Sequence, residues 1–189
     1  MFGCKVDEEI TIQLAEVRYA EQIFKLTDES RRYLRNWLPW LDQTKTVQDT
    51  ENFIRQSLRD FAEQKSVNTV VFYRGEVAGI AGFNEIDWDN RIAYIGYWLG
   101  ERFQGRGIMT KVCRALTDYA IYDLKLNKVD IRAAEANKKS RSIPERLGFT
   151  QEGKIRQAEW LYDHYVDHIV YGVLAEEWKM MHKKEGAME

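Results

Sequence analysis

The first regular signal in the chain is a two-residue period. Ile10, Ile12 and Leu14 alternate with polar neighbours and predict a strand over 10–15. A polar and aromatic region, 20–41, then reads as helical until Pro39 breaks it within Trp37-Leu38-Pro39-Trp40. Over 47–62, Val47, Phe53, Ile54, Leu58, Phe61 and Ala62 gather on one side of a helix. Thr46 precedes it with Asp49 three residues on, the spacing of a capping box.

The middle of the chain is β. Residues 67–73 are rich in β-branched and aromatic side chains, Arg74-Gly75 marks a turn, and 77–86 reads as the partner strand. A second turn at 87–91 leads to 92–99, apolar on both faces and therefore expected at the centre of a sheet. After Gly107 the period lengthens. Met109, Val112, Cys113, Leu116, Tyr119 and Ala120 form one helical stripe, with Lys111, Arg114 and Asp118 off it. Strand character returns at 128–134. A short helix from Ser140 is expected to stop at Gly148, with a late start or a kink at Pro144. Two closing strands are expected at 150–155 and 166–174. A meander followed by strand–helix–strand–helix–strand–strand predicts an α+β fold, an α/β sandwich on a mixed, mostly antiparallel sheet flanked by helices.

Composition narrows this picture. With 189 residues, 44% hydrophobic and 31% charged, the chain fits one folded domain over 1–189 with its core at about 10–178. Its 28 Lys+Arg and 30 Asp+Glu give a net charge of −2, which argues against binding nucleic acid through overall positive charge. The distribution is uneven: residues 102–146 hold 11 basic and 5 acidic side chains, a net of +6 within an otherwise acidic chain. The uncharged run 92–100 is far shorter than the roughly 18 apolar residues of a membrane span. The first ten residues carry acids where an export signal has its apolar core. Cys4 and Cys113 have no metal or redox spacing and read as free thiols of a cytoplasmic protein, Cys113 within the core. His164 and His168 stand four apart in strand-like sequence, where that spacing builds no metal face, so no metal is expected.

Chemistry concentrates at the junction Tyr97-Trp98-Leu99-Gly100-Glu101-Arg102-Phe103-Gln104-Gly105-Arg106-Gly107-Ile108. Glycines between a strand and a helix N-terminus bring backbone N–H groups close to a ligand, and the helix dipole favours an anion there. Arg102 and Arg106 add charge at the same spot. A Walker A loop fails, because no Lys-Ser/Thr follows Gly105. A dinucleotide fingerprint fails, because Thr110 stands where a third small residue belongs and the preceding strands read as a meander. On spacing alone, a phosphate loop and a tight turn with solvated arginines both remain open.

The stretch Arg102-Phe103-Gln104-Gly105-Arg106-Gly107 resembles the pyrophosphate loop of the GNAT superfamily of acyl-CoA-dependent N-acetyltransferases. Asn137-Lys138-Lys139-Ser140 with Ile143-Pro144-Glu145-Arg146-Leu147-Gly148-Phe149 resembles that family's second signature, in the right order. Ile95-Gly96-Tyr97-Trp98-Leu99 and Trp37-Leu38-Pro39-Trp40 resemble the Rim-type branch, which acetylates N-termini of ribosomal proteins.

The resemblance implies the acyl-CoA N-acyltransferase fold, with acetyl-CoA lying in a split between two central strands. Backbone groups of Trp98 and Leu99 would hold the pantetheine arm, with Tyr97 to Leu99 supplying an N–H for the oxyanion. The N–H groups of Gln104, Gly105, Arg106, Gly107 and Ile108 would hold the pyrophosphate, and Asn137 would touch the cofactor arm. Ser140 is the implied proton donor to the leaving thiolate, with a helix N-cap as its alternative role. Glu159 is the implied base, with Glu85 as the second candidate. Tyr33, Trp37 and Trp40 would line the acceptor pocket. The implied partners are acetyl-CoA and an amine, a ribosomal protein N-terminus first; no membrane or nucleic-acid partner is expected, and a homo-oligomer is left open. A small amine such as a polyamine or aminoglycoside-like compound, and a non-catalytic acyl-CoA-binding module, are the alternatives.

Overall fold

The computed structural model describes residues 3–183; residues 1, 2 and 184–189 of the expected single domain lie outside the described residues. Eight strands form one sheet in the order β1-β2-β3-β4-β5-β6-β8-β7. These are β1 (Gly3–Lys5), β2 (Ile10–Leu14), β3 (Val67–Tyr73), β4 (Glu76–Asp87), β5 (Ile92–Leu99), β6 (Lys128–Ala134), β7 (Thr150–Leu161) and β8 (His164–Leu174). Every neighbouring pair is antiparallel except β5 and β6, which run parallel. The mixed, mostly antiparallel sheet is the expected one.

Helices α1 (Ala20–Glu29), α2 (Arg31–Leu34), α3 (Val47–Ala62), α4 (Ile108–Asp118), α5 (Lys138–Arg146) and α6 (Ala175–Lys183) flank it. Helix α3 starts on the expected box: the Thr46 side chain accepts from Asp49 N–H, and the Asp49 carboxylate accepts from Thr46 N–H at 2.8 Å. The stripe of α4 is fully internal, with Val112, Cys113 and Leu116 sealed from solvent. None of the described helices is long and apolar enough to cross a membrane.

The elements differ from the expected ones in four respects. The helical region 20–41 is two helices that end at Leu34, followed by turns through Pro39. Strand β1 and helix α6 are additions; α6 docks through Trp178, which is buried and donates its indole N–H to Asp118 Oδ1 at 2.7 Å. Helix α5 begins at Lys138, because the Asn137 side chain caps it by accepting from Ser140 N–H at 3.1 Å. Strands β7 and β8 run to Leu161 and from His164, well beyond 155 and 166. The polar sequence 156–160 carries no strand period, yet β8 supplies a ladder that pairs again at Glu159 and Trp160 after a register break.

The pairing of the central strands positions the site. β5 and β6 are in register only from Ile92↔Lys128 to Ile95↔Ile131. Beyond that, β5 stays with β4 as far as Leu99, while β6 stays with β8 as far as Ala134↔His168. The two strands therefore part, and a wedge opens between 96–99 and 132–134. Arg91 C=O bonds toward β6 and Gly100 N–H bonds to Ala78 of β4. Strand alternation then turns the backbone groups of Tyr97 and Leu99 to the wedge and those of Trp98 to β4.

Candidate active site

At the mouth of the wedge, a 3-10 turn over Glu101–Phe103 leads to the glycine loop. Gly105 and Gly107 have φ of +73° and +72°, and a Cβ on either would meet nothing within 4 Å. The glycines therefore answer a backbone requirement, with open space on their outer side. Helix α4 has no side-chain cap at Gly107, and the Lys111 N–H is bonded to Gly107 C=O at 3.2 Å. The N–H groups of Ile108, Met109 and Thr110 precede the helical ladder and point out of the helix end, where the dipole favours negative charge.

Lys139 reaches over from α5 and donates to Gln104 Oε1 at 2.9 Å. The Gln104 amide nitrogen is buried without an acceptor. A phosphate oxygen is the kind of group this loop lacks, so the residues present fit the pyrophosphate of acetyl-CoA. Arg106 lines the cleft here. Arg102 does not: the 3-10 turn buries Phe103 and sends Arg102 outward to Glu76, 2.9 Å away.

The basic segment is also less concentrated in space than along the chain. Lys111 pairs with Asp7 at 2.6 Å, and Lys128 pairs with Glu152 at 2.7 Å. Arg106, Arg132, Lys139 and Arg146 are the basic side chains of that segment that line the cleft without an ion pair among the described residues.

On the wedge itself, Tyr97 and Trp98 take opposite faces of β5. The Tyr97 hydroxyl meets α5, donating to Ser140 C=O at 3.0 Å and accepting from Ser140 Oγ at 3.2 Å. Trp98 faces Trp40, ring centroids 6.2 Å apart. Trp98 is thus at the cleft through its side chain; its backbone is taken up by β4 rather than left for a ligand. Tyr97 and Leu99 carry the free edge. Ser140 is not the helix cap, because Asn137 holds that position.

The far side of the cleft is built by the β7–β8 hairpin and the loop after α2. Glu159 Oε2 lies 3.4 Å from His168 Nε2, and both line the cleft. His168 was not among the expected site residues; no spacing signal marks it, since the register of two strands brings it to Glu159. Glu85 also lines the cleft, beside the register break of β4 at Phe83 and Glu85. Tyr33, Trp37 and Trp40 form the aromatic wall. Burial raises the Tyr33 pKa, opposed by its contact with Gln104. The hairpin tip clasps this wall: Tyr162 donates to Leu38 C=O at 2.6 Å and carries the Arg35 guanidinium 3.8 Å above its ring. Loop, wedge, carboxylates and aromatic wall share one cleft of about 1760 Å³. Among the described residues, no group of three or more His, Cys, Asp or Glu could hold a metal ion.

The sequence profile of the acetyltransferase (GNAT) domain family matches residues 10–150. The chain belongs to the GNAT acetyltransferase family. It is 38% identical over 181 residues to the putative ribosomal N-acetyltransferase YdaF of Bacillus subtilis (strain 168), covering 95% of this chain and 98% of that protein. Among solved structures, it superposes with a TM-score of 0.87 at 33% identity on the microcin C7 self-immunity acetyltransferase MccE in complex with acetyl-CoA and AMP, covering 92% and 96%. The match to RimL, the ribosomal L7/L12 alpha-N-protein acetyltransferase in complex with coenzyme A, has a TM-score of 0.85 at 29% identity, covering 89% and 96%. The acetyltransferase is therefore an enzyme of the Rim-type branch with acetyl-CoA as co-substrate, not a mere acyl-CoA-binding module.

Proposed function

We propose that this acetyltransferase carries the acetyl group of acetyl-CoA to the N-terminal α-amine of a protein, a ribosomal protein first, by direct attack in a ternary complex. The observation that carries the reading is the continuity of the cleft. The anion-binding loop and the Glu159–His168 pair line one cavity of about 1760 Å³. A single small ligand takes roughly 300–1,000 Å³, so donor and acceptor have room together. Identity to the B. subtilis protein and likeness to RimL support the ribosomal acceptor. On this reading the enzyme works in the cytoplasm.

The N–H groups of 104–108 with Arg106 bind the pyrophosphate. The free edge at Tyr97 and Leu99 binds the pantetheine arm and offers an N–H to the developing oxyanion. The amine attacks the thioester carbonyl, the C–N bond forms, and the C–S bond breaks. The nitrogen gives its proton through water to Glu159, with Glu85 as the alternative, and the thiolate takes one from Ser140, which regains it from solvent. An α-amine has a pKa of about 7.7–8.0, so roughly a tenth is already neutral at pH 7 and a modest base suffices.

A small amine is the second reading, favoured by the likeness to MccE with its acetyl-CoA and AMP. Trp37 and Trp40 offer ring faces for such a ligand. The deciding experiment incubates the enzyme with labelled acetyl-CoA and ribosomal proteins, and in parallel with spermidine and an aminoglycoside. Mass spectrometry should locate label on a protein N-terminus. Label confined to the small amines would replace the first reading by the second.

A further inference from the structure

Pro144 stands inside α5 and brings no N–H, so the carbonyl of Ser140, four residues earlier, lacks its helical donor. The Tyr97 hydroxyl takes that place from the neighbouring strand, at 3.0 Å. The same phenol oxygen accepts from Ser140 Oγ at 3.2 Å. One hydroxyl therefore grips two atoms of one residue. Hydroxyls inside helices usually turn back onto their own helix. Ser142, on this same helix, donates to Lys139 C=O at 2.8 Å, and Thr117 donates to Cys113 C=O at 2.8 Å. Ser140 instead points to β5, at the edge of the wedge. Burial first of all drives the Tyr97 pKa far above the ordinary phenol value, opposed by the hydrogen bond from Ser140, so the group keeps its proton and stays a donor.

We propose that Tyr97 is a positioning residue for the transfer: anchored on the carbonyl that Pro144 leaves without a helical donor, its hydroxyl holds Ser140 Oγ at the wedge, and as the C–S bond breaks Ser140 turns its proton from the phenol oxygen to the leaving thiolate. The proposal rests on the assignment of Ser140 above. It gives Pro144 a purpose that the helix alone does not, since an interior proline weakens a helix.

The test compares Tyr97→Phe, Ser140→Ala, the double variant and Pro144→Ala in the full chain. Tyr97→Phe keeps the ring, and kcat should fall about tenfold or more, since small misplacements cost that much. Its Kd for acetyl-CoA, from titration calorimetry, should stay within about twofold of the parent. The double variant should be no slower than Ser140→Ala, because both changes remove one function. Pro144→Ala supplies an N–H that competes for the Ser140 carbonyl, so Tm should rise while kcat falls. A packing role would not separate those two readouts.

Near-normal turnover in Tyr97→Phe, losses that multiply with Ser140→Ala, or weakened acetyl-CoA binding that accounts for the loss would each overturn the proposal. If Tyr97→Phe does not fold, Pro144→Ala decides alone: a raised Tm with unchanged kcat overturns it. Normal turnover in Ser140→Ala would overturn the assignment of Ser140 itself, and the positioning role with it.

Discussion

Glu159 Oε2 and His168 Nε2 lie 3.4 Å apart across the β7–β8 hairpin, although the ladder pairs Glu159 with Val166 and His168 with Ile155. The register breaks between Ile155 and Glu159, and Gln157 adopts a positive φ of 50° inside that break. The extra residues of β7 let the carboxylate slide back to the imidazole. A bulge that re-aims a side chain at the rim of a cleft is a recurrent device near active sites.

If Glu159 receives the amine proton, Glu159→Gln should lower kcat well over tenfold at neutral pH, with acetyl-CoA affinity unchanged. His168→Gln should cost less, about threefold, and add nothing to Glu159→Gln, because it acts through the carboxylate. With an α-amine acceptor, kcat/KM should climb close to tenfold per pH unit below about pH 7.7 and level off above it, as the neutral amine accumulates. Steady-state kinetics with a synthetic N-terminal peptide checks all three. A Glu159→Gln enzyme with near-normal turnover removes Glu159 from the mechanism and leaves Glu85 as the base.

The two signatures around Gly105 and Asn137 were legible in the sequence because backbone chemistry ties them to residue type. A positive φ asks for glycine at Gly105 and Gly107, whereas the cap of α5, expected at Ser140, falls instead on Asn137, three residues earlier. The meander was legible because its strands bury alternate or continuous apolar positions. His168, the backbone parity of Trp98 and the outward turn of Arg102 were not, because each depends on which strand or turn the residue meets in space. Residues 156–160 hid their strand for a related reason: an edge strand lying almost wholly in solvent needs no apolar period, only a neighbour with free N–H and C=O groups.

The turn at Phe103 separates two arginines that are neighbours in the motif. Arg106→Ala and Lys139→Ala should each weaken acetyl-CoA by about fivefold, near 1 kcal/mol for one charge-assisted contact. Arg102→Ala should leave its Kd within about twofold, since Arg102 pairs with Glu76 away from the cleft. Calorimetric titration at two salt concentrations measures this. A large loss in Arg102→Ala would place that guanidinium on the ligand after all.

Gly107 caps α4 in the left-handed region, where a Cβ costs about 1–2 kcal/mol. Gly107→Ala should therefore fold with a Tm lowered by a few degrees, as nothing stands within 4 Å of the new methyl group. Its loss of acetyl-CoA affinity should exceed that of Gly75→Ala, which has the same backbone requirement at φ +81° in a hairpin turn that does not line the cleft. Thermal melts with and without acetyl-CoA make the comparison. Equal ligand-induced shifts in the two variants would mean that the loop at Gly107 does not approach the cofactor.

Asp130 sits on β6 at the cleft, buried, with Lys128 Nζ 3.0 Å away. Desolvation raises its pKa and outweighs the hydrogen bond from Lys128. For Lys128 desolvation works in the opposite direction and is outweighed by the bonds to Glu152 and Asp130, so its pKa is raised too and it stays charged. A carboxyl whose folded pKa lies above its unfolded value near 3.9 contributes stability below that value and loses it as pH rises through the folded pKa. Asp130→Asn cannot ionise and escapes that loss, while Lys128 keeps Glu152. The Tm of Asp130→Asn minus that of the parent should therefore grow as pH rises above about 4. Melting curves from pH 4 to 8 give the sign directly. A difference that shrinks with rising pH would mean that the pair with Lys128 outweighs burial, and that the ionised carboxylate stabilises the centre of the sheet.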